Sequence, residues 1–286
     1  MKKFLQSLPM VTIVLVIFAL ISFVWGSDQK RMATVDEKFE LIEINEESNL
    51  AENEGKYIIV TGTPKVTETP SDTLFGVKSD GYVLVRTVEM YQYTTVDDAV
   101  YKHFSTLQNQ DIKGLHGEKY VNPDFPADLK NAVFFGKMAV GQNEVPVSED
   151  FIETIRTKQS FVSDKIELKD IENLEIKGYK SCGDGYYTKA DPNNWKIGDI
   201  RIKFSYLPAD ALDKVTVGGL LKNGVVTYEE QHFGYASDSA KSIPEIIIEN
   251  RGEHGDTANG LFIIGVIEII IAVIVFFVKK LKNRKF

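Results

Sequence analysis

Leu261-Phe262-Ile263-Ile264-Gly265-Val266-Ile267-Glu268-Ile269-Ile270-Ile271-Ala272-Val273-Ile274-Val275-Phe276-Phe277-Val278 is an apolar run interrupted by one charge, Glu268. As a helix it spans roughly 27 Å, close to the ~30 Å hydrocarbon core of a bilayer. Only a helix satisfies its own backbone there without water. The basic segment 279–286, with Lys279, Lys280, Lys282, Arg284 and Lys285, follows at once and marks a cytoplasmic end. The chain before Leu261 is therefore expected on the opposite side unless it crosses again.

A second crossing is expected at the start. A basic leader, 1–7, precedes a charge-free stretch, 8–25, with Pro9 in its first turn, where a missing N–H costs little. Two readings fit this pattern. A cleaved signal peptide would end near Val24-Trp25-Gly26. An uncleaved anchor accounts better for the length of the run, for bulky Ile21, Phe23 and Val24 at its exit, and for Trp25 at the interface. With the anchor kept, both termini are cytoplasmic at the cell membrane and 27–260 is one extracytoplasmic domain.

The chain carries 33 Lys and Arg against 41 Asp and Glu. With the seven terminal cations and Glu268 set aside, the domain is close to −14. That balance argues against nucleic acid or anionic headgroups as partners and suits a soluble body. Cys182 is the single cysteine, so no intrachain disulfide forms and stability must come from packing.

Within the domain the alternation is that of strands. Val83, Val85, Thr87, Glu89, Tyr91 and Tyr93 share one face of a strand; Leu84, Arg86, Val88, Met90 and Gln92 share the other. Ile197 to Tyr206 reads as another strand. Val35 to Asn45, Tyr57 to Gly62, and Val133 to Val140 broken at Gly136 read likewise, with Tyr186-Tyr187 in a further one. Lys214 to Tyr228 reads as a hairpin turning at Asn223-Gly224. Tyr101 to Leu107 fits a strand or, if Asp97-Asp98 starts it, a helix. Ala127 to Ala132 and Ser148 to Arg156 read as short helices. Asp238 to Asn250 reads as helical in part, leading to a glycine-rich hinge from Gly252 to Gly260. The fold class is α+β, a β-rich extracytoplasmic domain between two transmembrane helices.

Several of these strings resemble the transmembrane protein 43 (LUMA) family. They are Asn53-Glu54-Gly55-Lys56 with the strand to Gly62, the specific run Val85-Arg86-Thr87-Val88-Glu89-Met90-Tyr91-Gln92-Tyr93, the Asn122-Pro123 turn, the Tyr186-Tyr187 pair, and Gly198-Asp199-Ile200-Arg201-Ile202-Lys203-Phe204-Ser205-Tyr206. They occur in family order across about Ala51 to Gly260. The leader and cysteine usage look bacterial. The resemblance implies a membrane protein with a large non-cytoplasmic domain and a membrane-organising role. Two departures stand out. One helix follows the domain where the family has several, and Tyr101, His103 and Phe104 replace a Trp-containing run.

Chemistry-bearing motifs are sparse. His103, His116, His232 and His254 lack metal-ligand spacing, and no nucleophile elbow or phosphate-binding loop is present. No catalytic residue, metal or cofactor is expected. Ser181-Cys182-Gly183-Asp184-Gly185 reads as a tight turn. Glu89, Tyr91, Tyr93, Asp199 and Arg201 are the candidate binding patch. The structural account sets against this an ion pair from Glu89 to Arg201 or Lys203, stacked tyrosine rings, and an Asp199–Arg201 pair at the sheet edge.

Glu268 is the sharpest local feature. A carboxylate near mid-bilayer costs ~2.5 kcal/mol or more and must find a partner or hold a proton. Gly265, Glu268 and Ala272 share a helix face, and Thr12, Ala19, Ser22 and Gly26 form a small-residue stripe on the first helix. In an antiparallel pair Glu268 falls near Ala19, about one turn inward from Ser22. The stripes are expected to pack within one chain or between copies. The reading is a non-enzymatic, membrane-anchored scaffold whose partners are the bilayer, further copies of itself in a homo-oligomer, and unnamed membrane proteins, without nucleic acid. The alternative is an extracytoplasmic sensor or ligand-binding receptor domain, which a deep apolar pocket with a few convergent polar groups would favour.

Overall fold

The computed structural model describes residues 10–33, 40–97, 99–109, 112–158, 164–165, 178–181, 186–229 and 233–282. The leader, the end of the basic tail, the loop around Cys182, His232 and most of the alternating stretch from Ile166 to Tyr179 lie outside the described residues, as does the start of the strand expected from Val35.

The chain divides into two compact units. One holds the described residues up to Val60 and from Thr216 on, and the other is Thr61–Val215.

The first unit begins with α1 (Met10–Ala33), followed by β1 (Leu41–Ile44) and β2 (Tyr57–Gly62). The second runs from β3 (Pro64–Glu68) through β4 (Ser71–Asp72), β5 (Val77–Lys78), β6 (Val83–Val96), β7 (Ala99–Ser105), β8 (Ile112–Lys113), β9 (Lys119–Tyr120), β10 (Ala132–Phe135), β11 (Lys137–Val140) and β12 (Val145–Val147) to α2 (Glu149–Lys158). It ends with β13 (Asp164–Lys165), β14 (Lys180–Ser181), β15 (Tyr187–Thr188) and β16 (Ile200–Leu207). The chain then returns to the first unit through β17 (Val215–Lys222), β18 (Val225–Thr227), β19 (Tyr235–Ser237) and α3 (Ile243–Lys282). This is the β-rich α+β arrangement between two apolar helices.

In the first unit β1 lies parallel to β2, β2 beside β17, and β17 turns antiparallel into β18. The turn is the expected Asn-Gly one. Asn223 and Gly224 have φ of 53° and 74°, the doubly left-handed geometry that matches strand twist. The Glu54 carboxylate accepts both turn amides, at 2.5 and 3.2 Å. One face of this sheet buries Ile59, Phe233 and Tyr235 against Ile246 of α3. The Tyr235 hydroxyl donates to Glu249, whose other oxygen pairs with Lys241. Burial and the Glu249 hydrogen bond hold that hydroxyl protonated well above its usual range.

The hinge expected at Gly252 to Gly260 does not form. The α3 helix runs unbroken for 40 residues, about 60 Å. Each interior glycine costs about 1 kcal/mol relative to alanine, a sum that packing at both ends outweighs. Upstream, Ile246 is fully buried. The Glu245 carboxylate accepts from Ser242 N and Oγ at 2.8 and 2.6 Å, closing the first turn. Downstream, the glycine segment lies along α1. That helix also outruns its expected end at Trp25, through Gln29, whose Oε1 sits 2.7 Å from His254 Nδ1.

In the second unit β6 is the central strand. It pairs with β16 from Val83 to Met90, with β10 from Val83 to Arg86, and with β7 from Met90 to Val96. Residues 101–105 thus lie in a strand, β7, and not in a helix, while Thr106 and Leu107 fall beyond its end. Where β6 lacks a neighbouring strand, side chains replace it. Asn131 Oδ1 accepts from Val88 N at 2.7 Å, and Asn122 brackets Tyr93 N and O at 2.7 and 2.9 Å. The inner face packs Leu84 and Val88 with Ile202, Phe204, Tyr187, Phe75, Val77 and Leu129. β3, β11 and β12 form an antiparallel set with α2 beside β11. The helix expected from Ala127 to Ala132 is one turn, closed by Leu129 N to Pro126 O at 3.1 Å. Leu129 is drawn into the core there, and β10 begins at Ala132, leaving no room for a second turn.

Tyr82 is fully buried and donates to Pro64 O at 2.9 Å and Ala209 O at 3.3 Å. Burial pushes its pKa up to about 12. Unfolded tyrosine ionises near ~10. Because the folded value is the higher one, this contribution is complete below pH ~10 and is lost as pH rises through that window toward the folded value. Melting temperature should therefore fall across this alkaline range. Tyr82→Phe should flatten the fall, and an unchanged slope would contradict the assignment.

Candidate functional site

The two apolar helices pack antiparallel through small residues. A side chain at Gly26 would meet Phe262, Leu261 and the Ala258 carbonyl at 3.2–3.4 Å, and one at Gly265 would meet the Phe23 ring at 3.1–3.3 Å. Glycine at these positions lets the backbones approach. Phe23 and Phe262 stack beside them, with ring centroids 6.0 Å apart. Thr12, Ala19, Ser22 and Ala272 are buried in this pair. The Ser22 hydroxyl donates to Glu268 Oε2 at 3.4 Å. The Glu268 side chain, leaning toward the N-terminal end of its own helix, thus reaches Ser22 across the pair. The outer faces carry exposed Phe18, Leu20, Ile21, Ile263, Ile270 and Phe277. Both helices are long and apolar enough to cross a membrane.

The outer face of β6 and β16 brings most of the candidate patch together. Arg201 lies directly opposite Glu89 in the strand register. Its Nε donates to Glu89 Oε2 at 2.7 Å, and Lys203 Nζ lies 3.2 Å from Oε1. The Arg201 guanidinium is held between the Phe104 and Tyr186 rings, at 3.8 and 4.0 Å. Tyr91 stacks on Phe104, which meets Trp195 edge-on, while Tyr93 stacks on Tyr120. Glu89, Tyr91, Tyr93 and Arg201 thus engage one another or close neighbours, each with a partner already in place.

Asp199 does not join this cluster. The sheet-edge pair with Arg201 is absent, because strand pairing sets Arg201 against Glu89. The Asp199 carboxylate instead accepts from Lys196 N at 2.6 Å and closes the turn before β16. In that turn Gly198 has φ +95°, and a Cβ would approach Pro123 to 2.9 Å. Asp199 lines a cleft of about 630 Å³ on another part of the unit.

A buried ion pair lies beside that cleft. Arg86 Nη1 and Asp72 Oδ2 are 2.5 Å apart, with side-chain exposures of 8% and 1%. Asp72 Oδ1 also accepts from Leu74 N at 2.9 Å and Phe75 N at 3.4 Å, while Arg86 Nε donates to Lys130 O at 3.0 Å. Arg86 sits over the Phe75 and Phe134 rings. In the sequence the only trace of this network is a lone arginine on the apolar face of β6.

The cleft itself is assembled from four loops. Leu74, Phe75, Pro126, Leu129 and Ile200 supply an apolar wall; Asp128, Tyr179, Lys189 and Asp199 supply polar groups. Lys189 Nζ rests 4.7 Å from the centre of the Tyr179 ring, and that ring meets Phe75 edge-on. Burial, then the Asp128 carboxylate, raises the Tyr179 pKa, so its hydroxyl stays a donor. Residue spacing held no signal for this site, because its parts lie more than a hundred positions apart.

The family described as transmembrane protein 43 matches residues 116–279, more than half of the chain. The matched stretch holds the Asn122-Pro123 turn, Tyr186-Tyr187, β16 and the apolar part of α3; β2 and β6 lie outside it. Transmembrane protein 43 of Mus musculus is 26% identical over 170 residues, 54% of this chain and 41% of that protein. The Homo sapiens protein is 25% identical with the same coverage, and that of Pongo abelii 24% identical over 169 residues. The chain thus spans about two-fifths of the length of the curated relatives it matches. No solved structure matches it.

Proposed function

We propose, on the premise that the chain belongs to the transmembrane protein 43 family, that it is a non-enzymatic scaffold anchored in the cell membrane. Both helices cross one bilayer, both termini face the cytoplasm, and the β-rich body stands outside. The observation that carries this reading is the unbroken α3, with Ile246 buried in the sheet at one end and the membrane-length run at the other. A helix continuous through the bilayer surface fixes the body's sheet to the membrane without a flexible linker. The basic residues after Val278 support the orientation.

Copies of the chain assemble through the helix pair. Glu268 Oε2 meets Ser22, while Oε1 has no hydrogen-bond partner among the described residues. A carboxyl group in hydrocarbon seeks a second donor or acceptor, and another copy supplies one. Glu268→Leu is expected to weaken self-association in bilayers several-fold. Unchanged association, measured by energy transfer between labelled copies, would overturn this assembly.

A receptor reading also has support from one observation. The cleft has the volume and apolar lining, with a few convergent polar groups, of a small-molecule site. A scaffold has no need of it.

A further inference from the structure

The cleft of the second unit carries more information than its volume. Its lining joins apolar side chains to three uncommitted polar groups. Among the described residues Asp128 and Lys189 have no ion-pair partner and the Tyr179 hydroxyl no hydrogen-bond partner. The Lys189 ammonium is held over the Tyr179 ring, a cation–π contact that keeps it beside the cleft and leaves N–H donors for a ligand. Asp128 lines the same cleft as Tyr179 and Lys189, so opposite charges share it. The second carboxylate, Asp199, is already engaged as the acceptor of the Lys196 N–H, with its charge retained. An anion alone would satisfy Lys189 but meet Asp128; a cation alone would meet Lys189. A ligand with both charges and an apolar side group satisfies every one of these sites.

We propose that this cleft binds a small zwitterion of the amino-acid class, its carboxylate on Lys189 and Tyr179, its ammonium on Asp128, and its side group against Phe75, Leu129 and Ile200. The assignment rests on the receptor reading of the cleft and adds the ligand's chemistry to it.

The test is calorimetry on the full chain in nanodiscs with three probes sharing one ring: L-phenylalanine, phenethylamine and 3-phenylpropionate. Phenylalanine should bind, and each singly charged probe should bind about tenfold more weakly or worse, the worth of one charge-assisted hydrogen bond. Lys189→Met should weaken phenylalanine and phenylpropionate and spare phenethylamine. Asp128→Asn should weaken phenylalanine and phenethylamine and spare phenylpropionate. Both positions are exposed, so the variants keep the fold. Equal binding of the three probes, or insensitivity to both substitutions, overturns the zwitterion assignment. If neutral 2-phenylethanol binds as well as phenylalanine and Ile200→Trp abolishes it, the cleft is a receptor for apolar ligands and only the ligand class fails. If no probe binds, the receptor reading falls with it.

Discussion

Asp72→Ala should destabilise the second unit by about 3–5 kcal/mol, because it strands the Arg86 guanidinium in an apolar site. The pair is nearly sealed from water, and Asp72 also caps the turn that presents Leu74 and Phe75. The loss therefore combines an unpaired buried charge with two orphaned backbone amides. For a unit of this size it corresponds to a fall of roughly 10 °C in melting temperature. Trp195 packs edge-on against Phe104 within the same unit, so its fluorescence reports the transition. Replacing both partners, with Asp72→Leu and Arg86→Met, should recover much of the loss, since well-packed apolar pairs replace buried ion pairs at little cost. A melting temperature within 2–3 °C of the parent, roughly 1 kcal/mol, would show that the pair is not sealed as described.

The second large effect is expected at the root of α3. Ile246→Ala removes a fully buried side chain from the cluster of Ile59, Phe233 and Tyr235, at a cost of about 2–5 kcal/mol. What remains there is the Tyr235–Glu249–Lys241 set, partly exposed and worth correspondingly little. The upstream turns, with Gly252 and Gly255 among them, should then fray. Amide exchange from Ile243 to about Glu253 and in β19 should accelerate at least tenfold, while the apolar half, held against α1 and shielded by lipid, stays protected. Uniform protection along the helix would mean that Ile246 does not couple it to the sheet.

The strands that organise the second unit were legible because β6 and β16 alternate cleanly, with one face buried and the other polar. The β17–β18 turn was legible from Asn223-Gly224 alone. The apolar spans were legible from length. Three features were not. The extension of α3 was hidden by its glycines, which lower local helix propensity; it forms because Ile246 and the α1 contact fix both of its ends. The extension of α1 beyond Trp25 was hidden by Asp28, Gln29, Lys30 and Arg31, which suit a polar exit as well as the outer turns of a helix. The cleft was hidden because Phe75, Leu129, Tyr179 and Ile200 converge only after β6 has paired with β16 and β10. The partner of Asp199 was hidden for a related reason: the strand register, invisible in sequence, gives Arg201 to Glu89.

The central claim is that both helices cross the same bilayer, with the body on the far side from the two termini. The most direct measurement is a pair of compartment reporters, one fused after Phe286 and one inserted in the exposed turn at Gly224. The account predicts opposite compartments: cytoplasmic for the first and extracytoplasmic for the second. Finding both reporters on one side would contradict it.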